Sequence, residues 1–136
     1  MANAYSATVV QQGPRNATVV LNGILDTANL SSTAAFALAD LDQNDAGPTP
    51  TGFAILEAEF SVQSPLAVQL WWDATVDVPA LTMTQTGEFC FHHCGGLQNS
   101  AGAGKTGVLN IATTGYSSGT VNFTVVLRLL KQGPNL

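Results

Sequence analysis

The sequence LAVQLWWD, at residues 66–73, has the periodicity of a β-strand that is buried on one side. In an extended strand, successive side chains point to opposite faces of the sheet. One face is wholly apolar here and carries Leu66, Val68, Leu70 and Trp72. The opposite face carries Ala67, Gln69, Trp71 and Asp73. We therefore predict that the apolar face packs in the core, and that Trp71, Gln69 and Asp73 form a candidate interface with a partner.

Segments on both sides of this strand also alternate, and Gly, Pro and Asn turns separate them. Two β-rich runs, residues 4–11 and 17–25, flank a Gly-Pro turn and predict a hairpin. Residues 34–41 fit either a short alanine-rich helix or a strand, and we favour a strand because little else in the chain has helical periodicity. The other predicted strands are residues 53–63, 81–84, 88–92, 108–113 and 120–131.

In two of these strands the pattern is regular enough to assign the side chains that face the core. Within residues 53–63, the predicted inward set is Ala54, Leu56, Ala58, Phe60 and Val62. Within residues 120–131, it is Val121, Phe123, Val125, Leu127 and Leu129. Residues 43–51 and 94–106 are rich in turn-forming residues and are predicted loops. A shorter loop is predicted from Asp73 through Pro79.

About eight short strands separated by turns are typical of an all-β protein. Strands of a parallel sheet are apolar on both faces, so the alternation favours an antiparallel arrangement. We therefore predict an antiparallel two-sheet β-sandwich, of jelly-roll or immunoglobulin-like kind. A chain of 136 residues is the size of one domain, so we expect a single domain over residues 1–136.

Charged residues make up only 10% of the chain, against about 25% in ordinary globular domains. So few charges indicate that a partner covers much of the surface. The four basic residues are scattered and the net charge is −5, so we expect no nucleic-acid binding, which needs clustered Lys and Arg. No stretch approaches the roughly 20 apolar residues of a membrane span. The first residues also lack the basic head and apolar core of a signal peptide. We therefore expect neither a membrane span nor a signal peptide.

The segment Cys90-Phe-His-His-Cys94 concentrates residue types that bind metals. If it is extended, Cys90 and Cys94 are about 13 Å apart, which exceeds the Cα separation of a disulfide, at most about 7 Å. Only a bend near His93 would bring both sulfurs to one zinc ion, and the chain offers no second ligand pair. We therefore predict that Cys90, His92, His93 and Cys94 bind no metal and that the thiols stay reduced. A zinc ion within one chain, or a metal shared between copies, stays open as an alternative.

The segment Ala103-Gly-Lys-Thr106 is similar to the end of a phosphate-binding P-loop. That motif requires a further glycine where this chain has Asn99, and it lies between a parallel strand and a helix, neither of which is indicated here. Two adjacent histidines and scattered acids do not form a Ser/His/Asp set. We therefore predict that the protein is not an enzyme, with no catalytic residue and no cofactor.

Five short motifs follow one another along the second half of the chain. They are LWWDA at 70–74, GGLQN at 95–99, GKTG at 104–107, IATTG at 111–115 and VLRLLK at 126–131. In their order and spacing, residues 60–131 resemble a family of small virion proteins of tailed bacteriophages, called decoration or cement proteins. The resemblance covers about half of the chain, and the first 50 residues add only a β-rich N-terminal part. The family's pattern does not require Cys90, His93 or Cys94.

The resemblance implies a β-sandwich that binds the outer surface of the assembled phage head, commonly as a symmetric oligomer, without catalysis. The expected partners are the major capsid protein and further copies of this chain, as a trimer at local three-fold sites. The expected location is the exterior of the virion, assembled in the cytoplasm of the bacterial host.

Two other functions stay open. The chain is also compatible with another virion component, such as a tail or connector part. Alternatively, a carbohydrate-binding module would stack sugars on Trp71 and Trp72. Adjacent strand residues face opposite sides of a sheet, so these two indoles do not form one platform, which disfavours the carbohydrate-binding function.

Overall fold

Nine strands and two short 3₁₀ turns make up the secondary structure of the described residues. The computed structural model describes residues 3–13, 15–41 and 51–132. The 3₁₀ turns are Leu38–Leu41 and His92–Cys94; neither helical segment is long and apolar enough to cross a membrane. The strands are β1 (Ala4–Gln12), β2 (Asn16–Leu25), β3 (Thr33–Ala34), β4 (Gly52–Val62), β5 (Ala67–Trp72), β6 (Val78–Met83), β7 (Gln85–Cys90), β8 (Leu109–Thr114) and β9 (Val121–Gln132).

The strands form two sheets that pack face to face around an apolar core. One sheet has five strands in the order β1-β2-β9-β4-β7, and the other has four in the order β3-β8-β5-β6. Every pairing is antiparallel. This confirms the predicted all-β two-sheet sandwich, with nine strands in place of about eight. The predicted hairpin is also confirmed, with Ala4 opposite Ile24 and Gln12 opposite Ala17.

Strand β5 lies inside the four-stranded sheet, between β8 and β6. The predicted core face is confirmed, because Trp72 is 1% exposed and Leu66, Val68 and Leu70 are at most 2% exposed. Trp72 packs against Phe53 of β4 with ring centroids 5.6 Å apart. Since β4 belongs to the five-stranded sheet, this contact joins the two sheets across the core.

Strand β9 lies inside the five-stranded sheet and pairs with β2 on one side and β4 on the other. Phe123 of β9 lies over Gly23 of β2, where an added Cβ would stand 2.1 Å from the ring. The close approach of the aromatic ring therefore requires glycine at position 23. All five predicted inward side chains are at most 4% exposed, namely Val121, Phe123, Val125, Leu127 and Leu129.

The predicted inward set of β4 is only partly correct. The pairing of β4 with β9 shifts register between Ile55 and Glu57, and such a β-bulge changes which side chains face the core. After the bulge, Ala58 and Val62 face the core as predicted, at 0% and 4% exposure, and Phe60 packs against its margin. Before the bulge, Phe53 and Ile55 face the core instead, at 1% and 0% exposure.

The two misassigned residues, Ala54 and Leu56, lie on the outer side of β4 under the segment that follows β7. An added Cβ at Gly96 would stand 3.0 Å from the Cβ of Ala54 and 3.3 Å from Leu56. The neighbouring Leu97 forms an antiparallel bridge with Ile55. A loop thus covers apolar side chains that the alternation alone assigned to the core.

The predicted strand over residues 34–41 is wrong beyond Ala34. Strand β3 contains only two residues, and the chain then turns inward to bury Phe36 and Leu41 at 6% and 0% exposure. The carboxylate of Asp40 accepts a hydrogen bond from the amide of Ala37 at 3.2 Å. Such local bonding by Asp offers the backbone an alternative to a sheet ladder, which explains the 3₁₀ turn.

Strands β6 and β7 also depart from their predicted bounds, and each begins three residues earlier than predicted. Strand β6 begins at Val78 and includes Pro79, which was predicted to lie in a loop. Because β6 is an edge strand, proline fits there without breaking the sheet. The strand predicted at residues 88–92 is β7, which ends at Cys90. The predicted loop at 43–51 lies outside the described residues except for Thr51, which forms a bend.

Candidate functional site

The outer face of the four-stranded sheet, here called the Trp71 face, contains the predicted interface residues. It is built from alternate side chains of β3, β8, β5 and β6. Its strand residues carry no charge within the described part of the chain. They are Ala34, Ala67, Gln69, Trp71, Pro79, Thr82, Asn110, Ala112 and Thr114.

Trp71 lies near one end of this face and is half-buried, as predicted. It stands opposite Asn110 on β8 and Pro79 on β6. A β-bulge between Leu70 and Trp71 accompanies the pairing with β6. Two hydrogen-bonded neighbour strands hold the backbone of Trp71 in place, so the indole is presented from a rigid support.

Gln69 occupies the middle of the Trp71 face. It stands opposite Ala112 on β8 and Thr82 on β6, and it is half-buried. Its neighbours are thus small and uncharged. An amide both donates and accepts hydrogen bonds, so Gln69 suits contact with the backbone of a partner.

The outer face of the five-stranded sheet differs because it carries several charges. Arg128 donates from Nη1 to Oε1 of both Glu57 and Glu59. The hydrogen bond to Glu59 is the main cause that raises the pKa of Arg128. On β7, Glu88 stands directly opposite Glu59. A partner that covered this face would have to desolvate charged groups, which is costly.

Asp73 lies at the end of β5, and hydrogen bonds within the chain occupy both of its carboxylate oxygens. Oδ2 accepts from the hydroxyl of Thr106 at 2.7 Å, and Oδ1 accepts from Nδ2 of Asn110 at 3.0 Å. Nδ2 of Asn110 also donates to Asp77 at 3.4 Å. Asp73 therefore ties the glycine-rich loop before β8 to the margin of the Trp71 face.

Backbone hydrogen bonds strengthen the same attachment. The amide of Thr106 donates to the carbonyl of Asp73 at 3.2 Å, and the amide of Asp73 donates to Val108 at 2.9 Å. The amide of Thr75 donates to the carbonyl of Ala103 at 3.2 Å. Residues 103–106, the segment similar to a P-loop, thus form a loop fastened to β5 that leads into strand β8 and not into a helix.

We expect Asp73→Ala to lower the free energy of unfolding by about 1–2 kcal/mol, because it removes a charged acceptor that receives two hydrogen bonds at a partly exposed site. Urea denaturation measures this loss. Asp73→Asn is the matched control, since an asparagine can accept from Asn110 and donate to Thr106. Its loss in the free energy of unfolding should be no more than half of the loss in Asp73→Ala. Equal losses in the two variants would contradict the assigned hydrogen bonds.

The two indoles have different environments. Trp72 is 1% exposed, whereas Trp71 is half-buried on the opposite side of β5. A sugar therefore cannot stack on both rings at once, as the alternation predicted.

The Cys/His segment lies at the end of β7, at the margin of the five-stranded sheet. Both thiols are free and exposed, and residues His92–Cys94 form a 3₁₀ turn. The thiol of Cys94 donates to the carbonyl of Phe91 at 3.3 Å. Cys90 stands opposite Glu57 of β4. Glu57 is 33 positions away in the sequence, so the spacing of residues 90–94 does not indicate that the two are neighbours.

Comparisons with known proteins add no assignment. No protein-family model matches the chain, and no curated protein is similar to it at a significant level.

Proposed function

We propose that the chain is a decoration protein that binds the outside of an assembled phage head through the Trp71 face. The observation that carries the proposal is an outer sheet face with no charged strand residue and a half-buried tryptophan. The resemblance of residues 60–131 to phage decoration proteins supports it independently.

The chemistry of the Trp71 face suits a permanent contact with another protein. Uncharged side chains cost less to desolvate than charged ones, and the centres of protein interfaces are depleted of charge. Tryptophan is enriched among the residues that contribute most to binding. The loop from β5 to β6 adds Val76, which is 77% exposed. Trp71 would be the main contact residue, and Gln69 would lie beside it. Asp73 would hold the glycine-rich loop in place at the margin of the face.

The proposed assembly is a symmetric oligomer, a trimer at local three-fold sites of the head, with the major capsid protein as partner. Contacts made by several linked copies reinforce each other through effective concentration, even where each one is weak. Binding to the assembled lattice and not to dispersed subunits stabilises the particle by mass action. The protein would thus act on the exterior of the virion, without catalysis.

The direct test is titration of the purified protein onto heads that lack it. We expect saturable binding that a high-salt wash removes only weakly, since screening acts on charges, the strand residues of this face carry none, and the carboxylates of Asp73 and Asp77 at its margin are bonded within the chain. Trp71→Ala should weaken binding by about 30-fold, equivalent to about 2 kcal/mol. Ile24→Ala is the matched control, because Ile24 is 46% exposed on the other sheet; it should bind like the unaltered protein.

Three outcomes would contradict this proposal. The protein could bind only tails or free glycans, it could leave the resistance of the heads to heat unchanged, or Ile24→Ala could reduce binding as much as Trp71→Ala. The last result would show that binding is not specific to the Trp71 face.

A further inference from the structure

We propose that Glu57, Cys90 and His92 bind a zinc ion on the outer side of the five-stranded sheet. One potential ligand atom from each side chain, an oxygen, a sulfur and a nitrogen, lies within 4.8 Å of the other two. Glu57 is half-buried, whereas Cys90 and His92 are exposed. An ion can therefore reach the three groups from solvent.

Strand pairing brings these residues together. Glu57 of β4 stands directly opposite Cys90 at the end of β7, and side chains paired in this way share one face of the sheet. The amide of Phe91 donates to the carbonyl of Leu56 at 2.8 Å and extends the pairing past Cys90. The 3₁₀ turn then begins at His92, whose side chain lies on the same side as Cys90.

The other two members of the Cys/His segment do not belong to this group. Cys94 donates its thiol hydrogen to the carbonyl of Phe91, and the set of close ligand atoms includes neither Cys94 nor His93. The predicted absence of a metal rested on the separation of Cys90 and Cys94 in an extended strand and on the lack of a second ligand pair. The register of β4 supplies Glu57 as a third ligand in place of the second thiol.

The donor set suits zinc, which binds thiolate sulfur, imidazole nitrogen and carboxylate oxygen in tetrahedral sites. Ligands about 2.0–2.3 Å from a tetrahedral zinc ion stand about 3.3–3.8 Å apart. Starting from separations within 4.8 Å, the side chains need to close by no more than about 1.5 Å, which rotation of exposed side chains permits. Three protein ligands leave the fourth position to water.

The local charge also favours a cation. Glu57, Glu59 and Glu88 lie near one another on this face, and Arg128 is the positive group paired with the first two. Arg128 engages Oε1 of Glu57, and a carboxylate has a second oxygen for a metal. The surplus of negative charge lowers the cost of holding a divalent ion.

Bound zinc would join β4 to the exit of β7, which is an edge strand, and would stabilise the folded chain by mass action. This site is on the opposite side of the sandwich from the Trp71 face. The zinc proposal is therefore independent of head binding, and each can fail alone.

The test is titration of Zn²⁺ into the full chain, purified with a chelator, then exchanged into chelator-free buffer with a non-thiol reductant, and followed by calorimetry. We expect one ion per chain and a higher unfolding temperature with zinc. Substituting Co²⁺ should produce thiolate-to-cobalt charge-transfer absorption. Cys90→Ser should abolish that absorption, and His92→Ala should weaken zinc binding by more than about tenfold, since even residues that only support a ligand contribute about that much.

Matched controls are available for every ligand. Cys94→Ser and His93→Ala alter the same segment but should leave affinity unchanged. Glu57→Gln should weaken binding by more than about tenfold. Glu59→Gln removes a nearby negative charge and the other ion pair of Arg128 but no ligand, so it should weaken binding clearly less than Glu57→Gln does. Absence of stoichiometric binding, retained charge-transfer absorption in Cys90→Ser, or an equal loss of affinity in Cys94→Ser would overturn the proposal.

Discussion

Trp72→Ala is expected to lower the free energy of unfolding by about 3–5 kcal/mol, as large aromatic deletions in a packed core do. Trp72 is 1% exposed and touches Phe53 across the two sheets. Its removal leaves a cavity that β5 cannot close, because β5 is hydrogen-bonded on both sides. Urea denaturation with far-ultraviolet circular dichroism measures the effect.

Trp71→Ala is the control for this prediction, since it removes the same side chain from the adjacent residue. Trp71 is half-buried on the outer face, so its loss should cost no more than about 1 kcal/mol in the isolated protein. The same variant should weaken binding to heads. Equal destabilisation by the two substitutions would refute the assignment of one indole to the core and the other to the surface.

Gly107→Ala is the second substitution with a large expected effect, about 2–5 kcal/mol of lost stability. Gly107 has a φ of +82°, a conformation that costs an alanine about 1–2 kcal/mol. An added Cβ would also stand 2.1 Å from the carbonyl oxygen of Thr51. Because that neighbour is backbone, the contact is relieved only by moving the residues that lead into β4 or β8, at a cost of about 1–3 kcal/mol.

Gly119→Ala separates the two contributions to this loss. Gly119 has a φ of +73°, but an added Cβ there meets nothing within 4 Å among the described residues. It should therefore lose only the backbone contribution, about 1–2 kcal/mol. If the two alanine variants are equally stable in thermal denaturation, the close contact between Gly107 and Thr51 does not exist in solution.

The parts of the fold that were predictable are those decided by local alternation. Strands β5 and β9 lie inside their sheets, and each has one face against the core, so a period of two in the sequence directly reports burial. The side chains of Trp72 and Phe123 follow from this pattern alone. The sandwich class follows as well, since alternating strands need a second sheet to cover their apolar face.

The parts that were missed depend on contacts between distant segments. In β4, Ala54 and Leu56 are apolar yet face outward, because the loop at Gly96 covers them. No pattern within the sequence of β4 indicates that a loop about 40 positions away covers these side chains. Around Asp40, the amide of Ala37 donates to the Asp40 carboxylate and the amide of Asp40 donates to the carbonyl of Ala37, so local hydrogen bonds favour a 3₁₀ turn where the alternation predicted a strand.

The candidate site was predictable to the same extent. The alternation of β5 placed Trp71 and Gln69 on the outer face, and the structure agrees with that placement. Their neighbours Asn110 and Pro79 depend on strand order and register, which the sequence of β5 does not contain. The same holds for Glu57, which only the pairing of β4 with β7 brings beside Cys90.

A cryo-EM map of phage particles that contain this chain is the decisive measurement for the proposal that the Trp71 face binds the outside of the phage head. We expect density for the sandwich on the outer surface of the capsid, at local three-fold positions, with Trp71 and Gln69 against the major capsid protein. Density confined to the tail or connector, or a Trp71 face turned toward solvent, would contradict it.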